Sequence, residues 1–182
     1  MIVSRETGTL SRTELASATV ETVVENANDA VIAPLFWFFI AGLPGILLFR
    51  VANTLDAMWG YRSQRYRWFG RFAARADDVL AYIPARLTFS LFSLIDSRAY
   101  AVARRDGRSW YSPNSGLVMA AGAGALDLQL GGPACYDGHM KGRPLLGNGR
   151  LPEPRDIPRA LALVKRAYLL LLGLMLIVGA LV

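Results

Sequence analysis

Nineteen consecutive residues, Val31 to Phe49 (VIAPLFWFFIAGLPGILLF), carry no charge. As a helix, such a run is long enough to cross a bilayer. Only helices and closed barrels can do so, because hydrocarbon offers nothing to an unpaired backbone N–H or C=O. A helical membrane protein is therefore the expectation. Composition agrees, with 53% of the 182 residues apolar and a mean hydropathy of +0.31. A second uncharged run fills the last sixteen residues, Ala167 to Val182. It makes about 24 Å of helix, and Lys165 and Arg166 can snorkel to the interface to lengthen it.

Spans are thus expected near 31–51 and 160–182, the latter helix starting about Pro158, since proline suits a helix's first turn. Between them, Val79 to Ile95 is apolar but contains Pro84 and Arg86. Arginines crowd both of its flanks: Arg62, Arg65, Arg67, Arg71 and Arg75 before it, Arg98, Arg104, Arg105 and Arg108 after it. If this segment crossed, one basic cluster would lie outside. The positive-inside rule favours instead an interfacial or re-entrant segment near 79–95, with both clusters cytoplasmic. Residues 109–155 read as a long Gly/Pro-rich cytoplasmic loop, in which LVMAAGAGALDLQLGG can form a small-residue helix set close against its neighbours. The stretch from about Ser11 to Asp29 reads as an amphipathic helix outside the membrane core. The opening residues are too polar and acidic for a secretory signal. Residues 1–182 are expected to form a single membrane-embedded, all-α, polytopic domain.

The net charge of +6 rests on eighteen arginines and two lysines. Positive-inside topology and anionic headgroups account for most of them. No nucleic-acid-binding module is present, so the expected partners are the lipid bilayer and anionic ligands, not nucleic acid. A lone cysteine, Cys135, rules out an internal disulfide and a cysteine zinc site. A lone histidine, His139, argues against a histidine metal centre.

Chemistry-bearing residues collect at the ends of the apolar segments. Glu21, Glu25 and Asp29 fall at i, i+4, i+8 on one helix face, a repulsive row that wants a cation. Glu21 reads as a solvated residue, whereas Glu25 and Asp29, with Asn26 beside them, read equally well as metal or substrate contacts. In NTLDAMWGYRSQRYRWFG, Trp59, Trp68, Arg65 and Arg67 suit an interfacial belt. Asn53 and Asp56 do not, and a carboxylate at the end of a span is a candidate site residue. Arg75, Asp77 and Asp78 precede the Val79–Ile95 segment, and Arg86 within it needs either a carboxylate partner or an anionic ligand. The loops SWYSPNSG and LGGPACYDGHMKGRPLLGNG could expose backbone N–H groups to phosphate, although they match no P-loop or dinucleotide pattern and plain turn chemistry explains them better.

In order and spacing, the blocks ENANDAVIAPLF, NTLDAMWGYRSQRYRWFGRFAARADDVLAYIPARL, SPNSG, LGGPACYDG and RPLLGNG resemble the CbiB/CobD family of adenosylcobinamide-phosphate synthases, over about Thr9 to Gly149. The resemblance implies a multi-pass protein of the prokaryotic plasma (inner) membrane with its active loops cytoplasmic. It implies a ligase-type reaction that forms an amide between adenosylcobyric acid, a corrinoid, and aminopropanol phosphate or a related amino alcohol, using ATP and Mg2+. Such chemistry activates a carboxylate as a mixed anhydride with phosphate, which an amine then attacks. It calls for carboxylates to hold the metal, cations to clamp phosphate, and a dry site.

On the matching positions, Glu25, Asn26 and Asp29 stand in the family's EN-x-x-D. Asn53, Asp56, Gly60 and Tyr61 stand in its NTLD-x-x-x-GY. Arg75, Asp77, Asp78, Pro84, Ala85 and Arg86 fill AR-x-DD and PAR, and Ser112, Pro113, Asn114 and Gly116 fill SPN-x-G. Asp29, Asp56 and Asp78 are the expected metal ligands, with Glu25 as a ligand or base. Arg62, Arg75 and Arg86 are the expected phosphate contacts. Asn26, Asn53, Tyr61, Asp77, Ser112, Asn114, Gly131 and Gly132 complete the expected substrate site. Family members carry a further membrane region before the block GTLSRTELASATVETVVEN, so a separate N-terminal half joins other cobalamin-pathway enzymes among the expected partners. The alternative class is a non-catalytic scaffold or an AmpE-like regulatory membrane protein.

Overall fold

A computed structural model describes residues 11–59, 67–136 and 139–181. Among them, α1 (Arg12–Asn26) runs through one π-helical turn (Ala27–Ile32) into α2 (Ala33–Trp59). Helices α3 (Arg67–Ile95) and α4 (Arg98–Asp106) follow, then a 3-10 turn (Gly107–Ser109), α5 (Ser115–Leu126), four short strands, and α6 (Asp156–Leu181). Three helical stretches, Arg12–Trp59, Trp68–Ile95 and Asp156–Leu181, are long and apolar enough to cross a membrane. Their outward side chains are left uncovered by protein: Phe38, Leu43 and Leu47 on α2, Val79 on α3, and Leu176 and Ile177 on α6 are all at least half exposed. A surface of this kind suits lipid rather than water. The protein is an all-α helical membrane protein, as expected.

Of the two forms expected for the segment near 79–95, interfacial or re-entrant, the re-entrant one is corrected: such a segment must turn back on itself, but α3 runs unbroken from Arg67 through Pro84 and Arg86 to Ile95. Proline inside a helix has no N–H for the carbonyl four residues earlier, here that of Leu80. The indole Nε1–H of Trp37 on α2 donates to that carbonyl at 3.0 Å. The orphaned acceptor is thereby satisfied from the neighbouring helix, and α3 continues. Around this contact Ala33, Phe49 and Ala81 form a small buried cluster with Trp37 and Leu80.

The larger core surrounds α5, where Val20, Val24, Ile32, Phe92, Met119, Leu128, Leu146 and Leu163 are buried together. Helix α1 begins at a capping box: the Glu14 N–H donates to Ser11 Oγ at 3.3 Å, and the Ser11 N–H donates to Glu14 Oε2 at 2.8 Å. It buries Ala16, Ala18, Val20 and Val24 and packs on α5 and α6. The small residues of α5 admit this crowding. A Cβ on Gly124 would lie 2.6 Å from the carbonyl oxygen of Arg98, which belongs to the backbone of α4 and cannot move aside cheaply.

The expected Gly/Pro-rich loop is more ordered than a loop. Besides α5 it holds two antiparallel ribbons, β1 (Leu130–Gly131) with β4 (Leu145–Leu146) and β2 (Ala134–Tyr136) with β3 (His139–Lys141). Left-handed φ values of 78° and 77° at Gly131 and Gly132 let the chain leave β1 sharply. Three acidic residues tie this region to the helices. Glu21 and Arg143 form a buried ion pair at 3.0 Å. Asp156, fully buried at the start of α6, accepts two bonds from Arg150 at 2.7 Å, one from Arg159 at 2.6 Å and one from the Glu153 N–H at 2.8 Å. Asp106 at the end of α4 accepts from the Gly147 N–H at 2.8 Å and from Arg105.

Two outcomes follow for stability. Gly124→Ala is expected to cost about 1–3 kcal/mol, the range for overfilling a tight core. Gly173→Ala, whose added Cβ meets nothing within 4 Å, should be neutral or slightly stabilising. Thermal unfolding in detergent compares the two. The Arg105 guanidinium, assisted by the Gly147 N–H, holds the Asp106 carboxyl below its usual range. That contact therefore stabilises the fold above the unfolded carboxyl value of about 4 and is lost as pH falls through the lower folded value. Amide exchange around Gly147 should be steady from neutral pH to about 5, once corrected for intrinsic rate, and accelerate below about 4. Asp106→Asn should remove the dependence.

Candidate functional site

The Ser112–Asn114 turn gathers residues that lie far apart in sequence. On α3, Asp78, Tyr82 and Arg86 recur every four residues and so share one face. The turn docks on that face. Ser112 Oγ donates to Asp78 Oδ1 at 3.1 Å, and the buried Asn114 uses both ends of its amide. Its Nδ2 donates to the Asp78 carbonyl at 2.7 Å, and its Oδ1 accepts from Arg86 Nη1 at 2.7 Å. Asparagine is a favoured helix N-cap, yet this one makes no cap bond to α5, its side chain being committed to α3. Ser112 takes over part of that role, its Oγ accepting from the N–H groups of Asn114 at 3.3 Å and Ser115 at 3.5 Å.

Arg86 was expected to find either a carboxylate or an anion. Among the described residues it has no ion-pair partner: it donates to Asn114 and to the Tyr82 carbonyl at 2.9 Å, and its guanidinium lies 3.3 Å from the centre of the Tyr82 ring. A guanidinium held by neutral groups keeps its full positive charge for a ligand. From the other side, Ser115 Oγ donates to Glu25 Oε1 at 3.1 Å, which brings the end of α1 to the same turn.

A second group of acids lies between α2 and α3. Asn53 Nδ2 donates to Asp77 Oδ1 at 3.2 Å. Asp56 lies three residues beyond Asn53 on α2, and Asp78 follows Asp77 on α3. Asp29 sits in the π-helical turn beside Asn28, whose Nδ2 donates to Asp29 Oδ1 at 2.8 Å. Asn28 is itself buried, and its Oδ1 lies 3.0 Å from Thr88 Oγ1, which is also 3.0 Å from the Pro84 carbonyl. The π turn that carries Asp29 is thereby anchored to the proline turn of α3. Such wide turns inside helices often mark functional sites.

Among the described residues, no three acidic, histidine or cysteine side chains converge as a ready metal cage. Magnesium does not need one, since it keeps several waters and takes one or two carboxylates together with phosphate oxygens. Asp77 and Asp78, adjacent on α3, and Asp56 on α2 are hard oxygen donors that could serve in that way.

The remaining expected residues fall elsewhere. Asn26 is exposed and bonds its own helix at the Thr22 carbonyl, 2.9 Å away. Arg75 is exposed on α3. Tyr61, Arg62, Gly60 and Arg65 lie outside the described residues. Gly131 and Gly132 sit at the end of β1, where the Gly131 N–H donates to Glu21 at 3.0 Å and the Gly132 N–H to the Pro144 carbonyl at 3.0 Å. Both N–H groups are thus engaged within the protein, which is turn chemistry rather than an open phosphate cradle. Glu21, expected to be solvated, is corrected: it is buried against Arg143 and Gly131 because that cation comes from more than a hundred residues downstream. Sequence spacing signalled the need for a cation but not its source. Asn28 and Thr88 were missed, and only the position of Asn28 inside the ENANDAVI block pointed to it.

The CobD/Cbib protein family pattern matches residues 1–164. A "Cobalamin biosynthesis protein CobD" from Chromobacterium violaceum is 53% identical over 167 residues, covering 91% of this chain and 54% of the relative. Proteins with the same name from Stutzerimonas stutzeri and Rhodobacter capsulatus are 52% and 46% identical, covering 90% and 98% of this chain and 54% and 57% of their own lengths. The chain thus spans about half the length of the curated relatives it matches. No solved structure matches.

Truncating the bridging amide tests the site's construction. Asn114→Ala should destabilise the fold by about 1–3 kcal/mol, because it removes the bonds that the amide makes to the Asp78 carbonyl and to the Arg86 guanidinium. Hydrogen exchange should accelerate over residues 112–116. Asn26→Ala, by contrast, should stay within about 0.5 kcal/mol.

Proposed function

The chain belongs to the CobD/CbiB family of cobalamin biosynthesis proteins, and from that premise we propose that it carries the site for amide-bond formation between adenosylcobyric acid and aminopropanol phosphate, or a related amino alcohol. One observation carries the reading. The family's separate motif blocks, represented by Glu25, Asp78, Arg86 and the Ser112–Asn114 turn, meet at a single place linked by direct hydrogen bonds. Residues that only anchored helices at an interface would have no reason to converge.

In this reading Arg86, oriented by Asn114, holds a phosphate oxygen of a substrate. Glu25, kept in place by Ser115, accepts a proton from the incoming ammonium so that the free amine can attack. Asp56, Asp77 and Asp78 would hold magnesium, with Asp29 at their margin. When bound, ATP and magnesium would supply the activation of the corrinoid propionate. The apolar surroundings of α2 and α3 limit water, which would otherwise hydrolyse an activated acyl group. The site would open on the cytoplasmic side of the prokaryotic inner membrane.

The test is the formation of adenosylcobinamide phosphate by membranes bearing the chain, supplied with adenosylcobyric acid, aminopropanol phosphate, ATP and magnesium. Product should form, and Asp78→Asn and Arg86→Gln should each lower the rate by about 10²-fold or more, as for other transition-state charge contacts. If product forms only when the remaining length of a relative is co-produced, the chain holds the site without completing the enzyme. Full activity in the Asp56→Ala, Asp78→Ala double variant would reject the assigned roles. Corrinoid binding with no turnover under any of these conditions would support the scaffold class instead.

A further inference from the structure

Arg86 has a second neighbourhood. Beyond the Asn114 contact, it lines a cavity of about 530 Å³ together with Arg104 and Arg108, against a wall formed by Phe89, Trp110 and Leu117. This volume falls in the range of small-molecule sites, which bury an apolar body and fix it with a few polar groups. Among the described residues, nothing acidic lines the cavity.

The arginines of this half of the protein divide sharply. Arg98 pairs with Asp96 and Asp127, Arg105 with Asp106, Arg143 with Glu21, Arg150 and Arg159 with Asp156, and Arg155 with Glu153. Arg104 and Arg108 are the exceptions among the described arginines from 98 to 159, and both face this cavity. Arg104 has instead the Tyr100 ring, 5.9 Å away. The C-terminal end of α4 favours positive charge in general, which explains arginine there. It does not explain why the arginines with carboxylate partners lie elsewhere while the unpaired ones converge with Arg86 on one apolar-walled space.

We infer that this cavity binds a phosphomonoester, its phosphate held by Arg86, Arg104 and Arg108 and its apolar body lying on Phe89, Trp110 and Leu117. A single carboxylate would leave two of the three guanidinium charges uncompensated. A phosphate dianion offers three acceptor oxygens and nearly two charges to planar donors that suit it. The source is either a soluble phosphomonoester or the monoester headgroup of a lipid of the phosphatidate type. The site shares Arg86 with the proposed reaction and rests on that reading only for its use in turnover.

Binding is measured without turnover, so that the two can fail separately. Phenyl phosphate is titrated into the detergent-purified chain and followed by tryptophan fluorescence. Trp110→Phe identifies the share of the signal that comes from Trp110, one of four tryptophans. In a second arm the chain is placed in phosphatidylcholine nanodiscs with and without phosphatidate. Phenyl phosphate should bind, inorganic phosphate should compete, and phenol should not bind. Arg104→Gln with Arg108→Gln should weaken binding by about tenfold or more, as expected for losing charge-assisted bonds. The double lysine variant keeps the charge and guards against misfolding, and it should bind with intermediate strength. Arg155→Gln should bind as the parent does. A response to phosphatidate alone supports the same site with a lipid as its occupant. No binding in either arm, or binding unaffected by Arg104→Gln with Arg108→Gln, overturns the inference even if amide synthesis is intact.

Discussion

The amide of Asn114 is the interaction on which the site depends. Its nitrogen holds the backbone of Asp78 and its oxygen holds the guanidinium of Arg86, two turns further along the same helix. One short side chain therefore fixes the turn before α5 in both position and orientation. Because the same turn presents Ser112 to the Asp78 carboxylate and Ser115 to Glu25, the approach of α1, α3 and α5 is set at a single point. Neutral partners are important here: a carboxylate against Arg86 would have consumed the charge that an anionic substrate needs.

The surroundings impose a second demand. In an apolar medium each backbone group released by an irregularity must find a partner, or the irregularity is too costly to keep. Pro84 releases the Leu80 carbonyl, which the Trp37 indole takes up. The π turn after α1 is held by Asn28 against Thr88, one turn beyond that proline. Buried acids obey the same accounting. Glu21 receives Arg143, and Asp156 receives Arg150, Arg159 and a backbone N–H. Pairs of this type stabilise little relative to an apolar replacement but are costly to break, so they act as latches that position the ribbons and the start of α6.

Much of this was legible in the sequence. The uncharged runs located α2 and α6, the Gly/Ala pattern located α5, and the motif blocks named Glu25, Asp78, Arg86, Ser112 and Asn114, which the fold does bring together. What escaped was set by tertiary contact. Periodicity showed that Glu21 wanted a cation but could not reveal Arg143, 122 positions away. Arginines on both flanks of Val79–Ile95 suggested an interfacial or re-entrant segment, and a sequence with Pro84 in it cannot announce that Trp37 will let the helix continue. Gly131 and Gly132 were placed in the expected substrate site, although turn chemistry already explained their loop better; composition does not reveal that Glu21 and Pro144 occupy their N–H groups.

A double-mutant cycle between Asn114 and Arg86 tests the central claim most directly. The stabilities of Asn114→Ala, Arg86→Gln and the double variant are compared by reversible unfolding in detergent. If the amide oxygen and the guanidinium form the bond described, the two effects are coupled by about 1–2 kcal/mol, in the range for side chains in direct contact. Simple additivity, within about 0.3 kcal/mol, would mean that Arg86 and the Ser112–Asn114 turn are independent. It would remove the link on which the site is built.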